Sequence, residues 1–380
     1  MKKIIILSLM AASAIMADPL VSYPGTKAKG MGGAFTAIAN NNSAMYFNPA
    51  GMVNFESGSK HAMFTAEVGT GGAFDLSNAE EPTSSTVNYF VATGFTSPTY
   101  GYGLAVYSLY SVKAQAVDSR GNVSYKEQDI SVLSASASHL LPFGFNDIYP
   151  GGGQISVGAT LGVAFSGGGL VQIETESTNG TSNSNYDDDV LDQRGFFGAV
   201  GIKARLYTSM LFKLDIGANY RSSAALESVH DDDGRTSAPV NGMDMPAELA
   251  YGIAAIYQTE YGVVTLAADQ KLTSYEEATS AENSNMNFRL NDYETLSVGL
   301  DFSGPVYQIR TGAYMSEEQD GENGTNLNIS GYTLGAGMIL DKNMNIELSV
   351  DNKTYEWATG QENSEVFASV SLNIAVGTRH

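Results

Sequence analysis

The chain has 380 residues, a formal net charge of −21 and no cysteine. That charge repels polyphosphate and excludes nucleic acid as a partner; the missing thiols exclude a disulfide framework and thiolate metal centres. Charged residues make up only 16% of the chain, while Gly (41), Tyr (21) and Phe (16) are abundant, a mixture that suits bends, tightly packed walls and interfacial aromatic belts.

Lys2 and Lys3 precede an apolar run over 4–16, and Ala17 precedes Asp18. This reads as a secretory signal peptide over 1–17, with cleavage after Ala14 as the alternative. No later stretch approaches the ~18 consecutive apolar residues of a membrane-spanning helix.

Residues 18–57 are neither periodic nor strongly charged. Gly30-Met31-Gly32-Gly33 leads into a predicted short helix through Ala39, which Asn40-Asn41-Asn42-Ser43 ends. The glycine run has no following Lys-Ser/Thr, so it is not a phosphate loop. A segment this small and glycine-rich does not fold alone, and the reading is a hatch packed in a larger cavity. Pro49 lacks an N–H and holds Asn48 extended. The Asn48 amide both donates and accepts, so Asn48-Pro49-Ala50 is predicted to be a fixed turn pinned to its surroundings.

From residue 58 onward apolar and polar residues alternate. In 155–166, Ile155, Val157, Leu161, Val163 and Phe165 share one face, and Ser156, Gly158, Thr160, Gly162 and Ser166 the other. Successive strand residues point to opposite sides, so one face suits lipid and the other a polar lumen. Fourteen such strands are predicted, near 58–70, 86–97, 100–112, 125–141, 153–173, 193–208, 210–225, 245–259, 261–275, 292–303, 306–317, 330–341, 344–357 and 365–377. The count is even, as single-chain bacterial barrels require. The expected fold is therefore all-β, a 14-stranded antiparallel transmembrane barrel over 58–380.

Gaps between strands alternate short and long. Ser97-Pro98-Thr99, Thr208-Ser209-Met210, Gly304-Pro305 and Asp341-Lys342-Asn343 have turn chemistry; the connection 142–152 is longer than the scheme wants. The long gaps carry the acids, among them Asp187-Asp188-Asp189, Asp231-Asp232-Asp233, Glu276-Glu277 and Glu317-Glu318. They read as solvated loops, with cation bridges to lipopolysaccharide as the alternative. Their spacing is not that of a calcium loop, and no metal site is assigned.

Parity turns Lys203, Arg205, Lys213, Asp215, Asp269, Lys271, Asp301, Arg310 and Lys353 inward. The inward cations either hold a cargo head group or pair with Asp215, Asp269, Asp301, Glu347 and Asp351. Phe35, Met31, Tyr46, Phe47, Tyr107 and Phe197 are apolar contact candidates. Four histidines occur, and Ser138-His139 lies on one strand with its two side chains facing opposite ways. No catalytic constellation is present, so no enzyme and no cofactor is expected.

The run Gly25-Thr26-Lys27-Ala28-Lys29-Gly30-Met31-Gly32-Gly33-Ala34, then Ala37-Ile38-Ala39 and Asn48-Pro49-Ala50-Gly51-Met52, resembles the FadL-type outer-membrane transporters of long-chain fatty acids and aromatic hydrocarbons. Met245-Pro246-Ala247-Glu248-Leu249-Ala250-Tyr251-Gly252 and Tyr293-Glu294-Thr295-Leu296-Ser297-Val298-Gly299-Leu300 are similar too. The chain departs from that family in lacking a terminal aromatic and strongly apolar loop helices.

The resemblance implies a hatch over 18–57 with Gly30, Gly32, Gly33, Asn48, Pro49 and Ala50 in gating positions. It implies a kink in the third strand through which apolar cargo leaves sideways, assigned to Gly101 and Gly103. It also implies passive outer-membrane transport of fatty acids or hydrocarbons by a monomer in contact with outer-membrane lipid and lipopolysaccharide. Lys203, Arg205, Lys271, Arg310, Phe35 and Phe47 are then the candidate cargo contacts. A porin for small polar solutes and a secretion-associated structural barrel are the alternatives.

Overall fold

The computed structural model describes residues 23–53, 55, 60–75, 83–117, 123–148, 151–171, 189–228, 245–274, 292–316, 327–357, 360 and 362–378. The stretch 1–17 expected to be a signal peptide and most of the acidic loop residues lie outside them. Fourteen long strands form the wall: β1 Lys60–Asp75, β2 Thr83–Thr96, β3 Tyr100–Val117, β4 Val123–Gly144, β5 Gln154–Val171, β6 Asp189–Thr208 and β7 Phe212–Arg221. The second half comprises β8 Ala247–Gln258, β9 Val263–Ser274, β10 Tyr293–Ser303, β11 Tyr307–Ser316, β12 Leu327–Asp341, β13 Met344–Trp357 and β14 Glu362–Thr378. Each pairs antiparallel with the next, and β1 closes the ring on β14 from Lys60↔Thr378 to Gly69↔Ser369. A closed ladder leaves no free edge and satisfies the backbone between strands, which is what a sheet in lipid requires.

The alternation produces the two faces as predicted. On β10, Tyr293, Thr295, Ser297, Gly299 and Asp301 are buried, while Leu300 is 43% exposed on the outer face. Leu104, Leu161, Phe196, Leu266, Leu334 and Leu348 are likewise exposed outward. The wall is uneven in height. β3 to β6 run 18, 22, 18 and 20 residues, against 10 each for β7 and β11; roughly 9–11 tilted residues cross a hydrocarbon core.

Several short turns use one device. The Ser97 hydroxyl donates to the Tyr100 carbonyl (2.7 Å) and accepts from the Tyr100 N–H (3.0 Å); Ser209 does the same with Phe212, and Thr259 with Gly262. A hydroxyl at the first turn position thus replaces ladder bonds lost at the reversal. The longer connection stays compact. Phe145–Asp147 form a 3-10 turn, Asp147 accepts the Gly144 N–H at 2.7 Å, and the Gly153 N–H donates to the Arg205 carbonyl on β6.

Two expectations are corrected. The seventh strand stops at Arg221 rather than 225. Beyond it Ala224 bridges Met245, and Glu227–Ser228 pair back onto Gln193 and Arg194 of β6. In the N-terminal segment the helical turns are Thr26–Gly30 (α1) and Ala44–Phe47 (α2), not a helix from Gly30 through Ala39. Gly32 and Gly33 take φ +65° and +84°, a left-handed conformation that ends α1 and that a side chain disfavours.

Candidate functional site

The described N-terminal residues lie inside the ring, most of them buried. Their backbone approaches the wall where inward positions are glycine. A Cβ on Gly158 would meet Ala50 N at 2.4 Å; on Gly217, the Thr36 carbonyl at 2.5 Å; on Gly299, the Met31 carbonyl at 2.5 Å. Inward glycines therefore set how far the segment penetrates.

Asn48-Pro49-Ala50 forms the predicted turn. Asn48 is extended (φ −168°, ψ 102°), and Pro49 opens a 3-10 turn to Met52. The Asn48 Nδ2 donates to the carbonyls of Thr36 (3.0 Å), within the segment, and Ile202 (2.9 Å), on β6. Its Oδ1 accepts the Ala50 N–H at 3.2 Å, and Ser156 on β5 donates to the Ala50 carbonyl at 2.9 Å. One buried amide thus ties the turn both to itself and to the wall.

Two wall carboxylates grip bare backbone N–H groups of the same segment. Glu67 on β1 accepts from Gly25 (3.0 Å) and Thr26 (2.7 Å) and pairs with Lys29 at 2.7 Å. Asp269 on β9 accepts from Phe35 (2.7 Å) and Thr36 (2.6 Å). These charge-assisted bonds are the stronger kind, and each uses donors that the short turns of the segment leave unpaired.

The candidate cargo cations face inward, and each has a partner in the protein. Lys203 donates to the Ile38 carbonyl at 2.5 Å and lies 5.5 Å from the Phe55 ring. Arg205 forms a two-point pair with Asp215 (2.7 and 2.9 Å). Lys271 lies 3.5 Å from Glu248. Arg310, 1% exposed, bridges Asp301 (2.7 Å) and Glu347 (2.8 Å) and also bonds Gln308. Lys27 adds a 3.7 Å contact to Asp301. Removing one member of such a buried pair strands the other, typically at about 3–5 kcal/mol. Phe35 and Phe47 pack edge to face within the segment, with centroids 5.4 Å apart.

The interior divides into two sectors. Along β2 to β6 an apolar cluster faces inward, with Phe90, Tyr107, Leu109, Ile130, Val132 and Phe197 all buried, beside the small hydroxyls of Ser134, Ser136, Ser156 and Thr160 and the cations Lys203 and Arg205. Tyr46 meets Tyr107 there at 5.9 Å. The other sector, from β7 round to β1, carries most of the buried charges, among them Asp215, Arg221, Glu248, Asp269, Asp301, Arg310, Glu347 and Glu67.

Gly101 and Gly103, the expected kink positions, are regularly paired with both β2 and β4. The β2–β3 register runs unbroken from Phe90↔Tyr107 to Thr96↔Gly101, and the two glycines make room for Met52 and Met45. The irregularity falls farther along, where Leu109 bulges between Ser108 and Tyr110 in the β3–β4 ladder. At the same level the β2–β3 ladder ends at Phe90↔Tyr107. Beyond it, Phe74 and Asp75 of β1 reach Val112 and Lys113 of β3. The wall thus has a bounded seam, apolar inside. Its outer rim is laced by hydroxyls: the Tyr89 N–H donates to Ser108 Oγ (2.9 Å) and the Tyr89 hydroxyl to Ser131 Oγ (2.8 Å).

Sequence reasoning missed Glu67, Arg221 and Glu248. Arg221 lies 3.0 Å from Glu248 and 5.1 Å over the Tyr46 ring. Parity continued two residues beyond Asn219 turns Arg221 inward, so the signal was present.

No protein-family model and no curated protein matches the chain. Among solved structures, it is similar to a monoaromatic hydrocarbon channel, CymD (TM-score 0.61, 15% identity), over 94% of this chain and 98% of that one. It is also similar to the Pseudomonas putida toluene transporter TodX (0.57, 14%; 93% and 98%). A Pseudomonas aeruginosa FadL homologue matches at 0.53 and 11% identity, covering 96% and 99%. The chain has the fold of the FadL-type hydrocarbon channels over nearly its whole length. The expected fourteen-strand class is that fold.

Proposed function

We propose that this chain is a bacterial outer-membrane channel that passes small hydrophobic molecules without energy input, with residues 18–57 as its hatch. The observation that carries the reading is the seam between β2 and β3, where an inward apolar cluster meets the point, at Phe90↔Tyr107, beyond which the described strands no longer pair. An apolar molecule that reaches Phe90, Tyr107 and Leu109 keeps apolar surroundings by moving sideways into lipid and avoids the polar underside of the hatch. The cargoes for which the similar channels are named, toluene and monoaromatic hydrocarbons, agree with this lining. Flat hydrocarbons suit the aromatic walls, and the engaged state of Lys203, Arg205, Lys271 and Arg310 favours cargo without a charged head. The short turns then face the periplasm and the acidic loops the exterior.

A cross-link tests the route. Tyr89→Cys with Ser108→Cys places a disulfide across the seam in a chain that has no other thiol. Under oxidation, entry of labelled toluene into vesicles carrying the protein stops, and reduction restores it. Undiminished entry through the fully cross-linked protein overturns the sideways route.

A further inference from the structure

The polar sector also has an opening. A recess of about 290 Å³ lies at the short-turn end, between the Asn40–Asn42 turn of the N-terminal segment and the ends of β12, β13, β14 and β1. Apolar Met63, Ile339, Met344 and Ile374 share its lining with a polar set dominated by amides, in which Asn42, Asn345 and Asn373 join Thr65, Glu347 and Lys27. They are wired in sequence. Asn42 donates to Thr65 (3.1 Å), Thr65 to Asn373 (2.9 Å), and Asn373 to Glu347 (3.2 Å), which Arg310 also holds.

Above the recess the inward face of β13 continues as Asn345, Glu347, Ser349, Asp351 and Lys353, with Ser349 bonded to Ser369 of β14 at 2.7 Å. No apolar side chain interrupts that run. The N-terminal segment covers it with the long cations Lys27 and Lys29, tethered by ion pairs to Asp301 and Glu67. Over the other sector it lays Met45, Tyr46 and Met52. Alternating donors and acceptors of both charges solvate water and small polar molecules and disfavour hydrocarbon.

We propose that this stripe and its recess form a second, aqueous path, by which water, small ions and small uncharged hydrophilic solutes pass the hatch along β13 and β14 independently of apolar cargo. The Arg310–Glu347 pair, with Lys27 above it, is the constriction. The inference rests on the membrane-spanning reading of the barrel and not on the hydrocarbon cargo.

The absence of cysteine from the chain makes the test direct. Asn345→Cys and Asn343→Cys, both lining the recess and the second on an exposed turn, are reconstituted in planar bilayers, and labelling is followed by mass. A bulky, membrane-impermeant thiol reagent added on the short-turn side should cut the ionic conductance of the Asn345→Cys protein stepwise. It should leave wild-type conductance and vesicle entry of toluene unchanged. Leu348→Cys, whose thiol faces lipid out of the reagent's reach, should stay unlabelled and conduct as before. Full labelling at position 345 without loss of conductance overturns the path, as does a wild-type protein that admits toluene but carries no ionic current. Current without toluene entry would instead overturn the hydrocarbon reading and leave the aqueous path standing. If the Asn345→Cys protein does not fold, the same block read at Asn343→Cys decides the matter.

Discussion

Replacing Asn48 by alanine removes three hydrogen bonds at a fully buried position: two from Nδ2, to the Thr36 and Ile202 carbonyls, and one from the Ala50 N–H to Oδ1. At roughly 0.5–1.5 kcal/mol net per neutral bond, the loss is about 3 kcal/mol. Only one of the three bonds reaches the wall, and the barrel ladder through Ile202 keeps its own pairing with Val157 and Ala218. The penalty therefore falls on the seating of the segment and not on the barrel. With each 1.4 kcal/mol worth tenfold, the unseated population should rise on the order of a hundredfold. Asn48→Asp sharpens the case. It keeps an oxygen for the Ala50 N–H but presents a second oxygen to two carbonyls and buries a charge, so it should unseat the segment more than alanine does. The assay is hydrogen exchange of the amides of Phe35, Thr36 and Ala50, read beside leak conductance, with barrel integrity checked by far-UV circular dichroism. Wild-type exchange and leak in a folded Asn48→Ala protein would refute the reasoning. So would an Asn48→Asp protein that behaves like wild type, since it would show that the Nδ2 donors do not pin the turn.

Asp269→Ala should loosen the same segment at another point, because two buried backbone N–H groups lose a charged acceptor at roughly 1.5–3 kcal/mol each; Asp269→Asn should fall between it and wild type. Leak conductance that stays at the wild-type level in the alanine variant contradicts the grip seen at Phe35 and Thr36. Arginine at outward Leu300 should cost roughly 2–4 kcal/mol of barrel stability near the bilayer midplane, and arginine at inward Asn345 far less. Equal costs in a folding titration would contradict the assignment of faces. Inward parity alone does not license a charge everywhere: Asp301→Arg would set a further cation beside Arg310 and Lys27 and should fold poorly.

A strand's facing is a local property with a period of two, so the residue order alone determined the fourteen strands, their inward and outward sides, and the inward direction of Lys203, Arg205, Lys271 and Arg310. Proline chemistry and one amide likewise made the Asn48-Pro49-Ala50 turn legible, down to its attachment to neighbouring backbone. What each inward charge meets was not legible, because partners are set by register and shear around the closed ring. Arg310 reaches Asp301 on the adjoining strand and Glu347 two strands away, across Gly335, whose missing side chain leaves the space. The same holds for the seam. Gly101 and Gly103 look like flexible points in isolation, yet they are regularly paired and serve the approach of Met52 and Met45. The break lies at Leu109, where two neighbouring ladders fall out of step. A bulge is a mismatch between strands and has no signature within one of them. The division of the lumen into apolar and polar sectors was decided the same way. Its members alternate correctly along every strand, but only the order and height of strands around the ring bring Phe90, Tyr107 and Ile130 to one side and Glu67, Arg310 and Glu347 to the other.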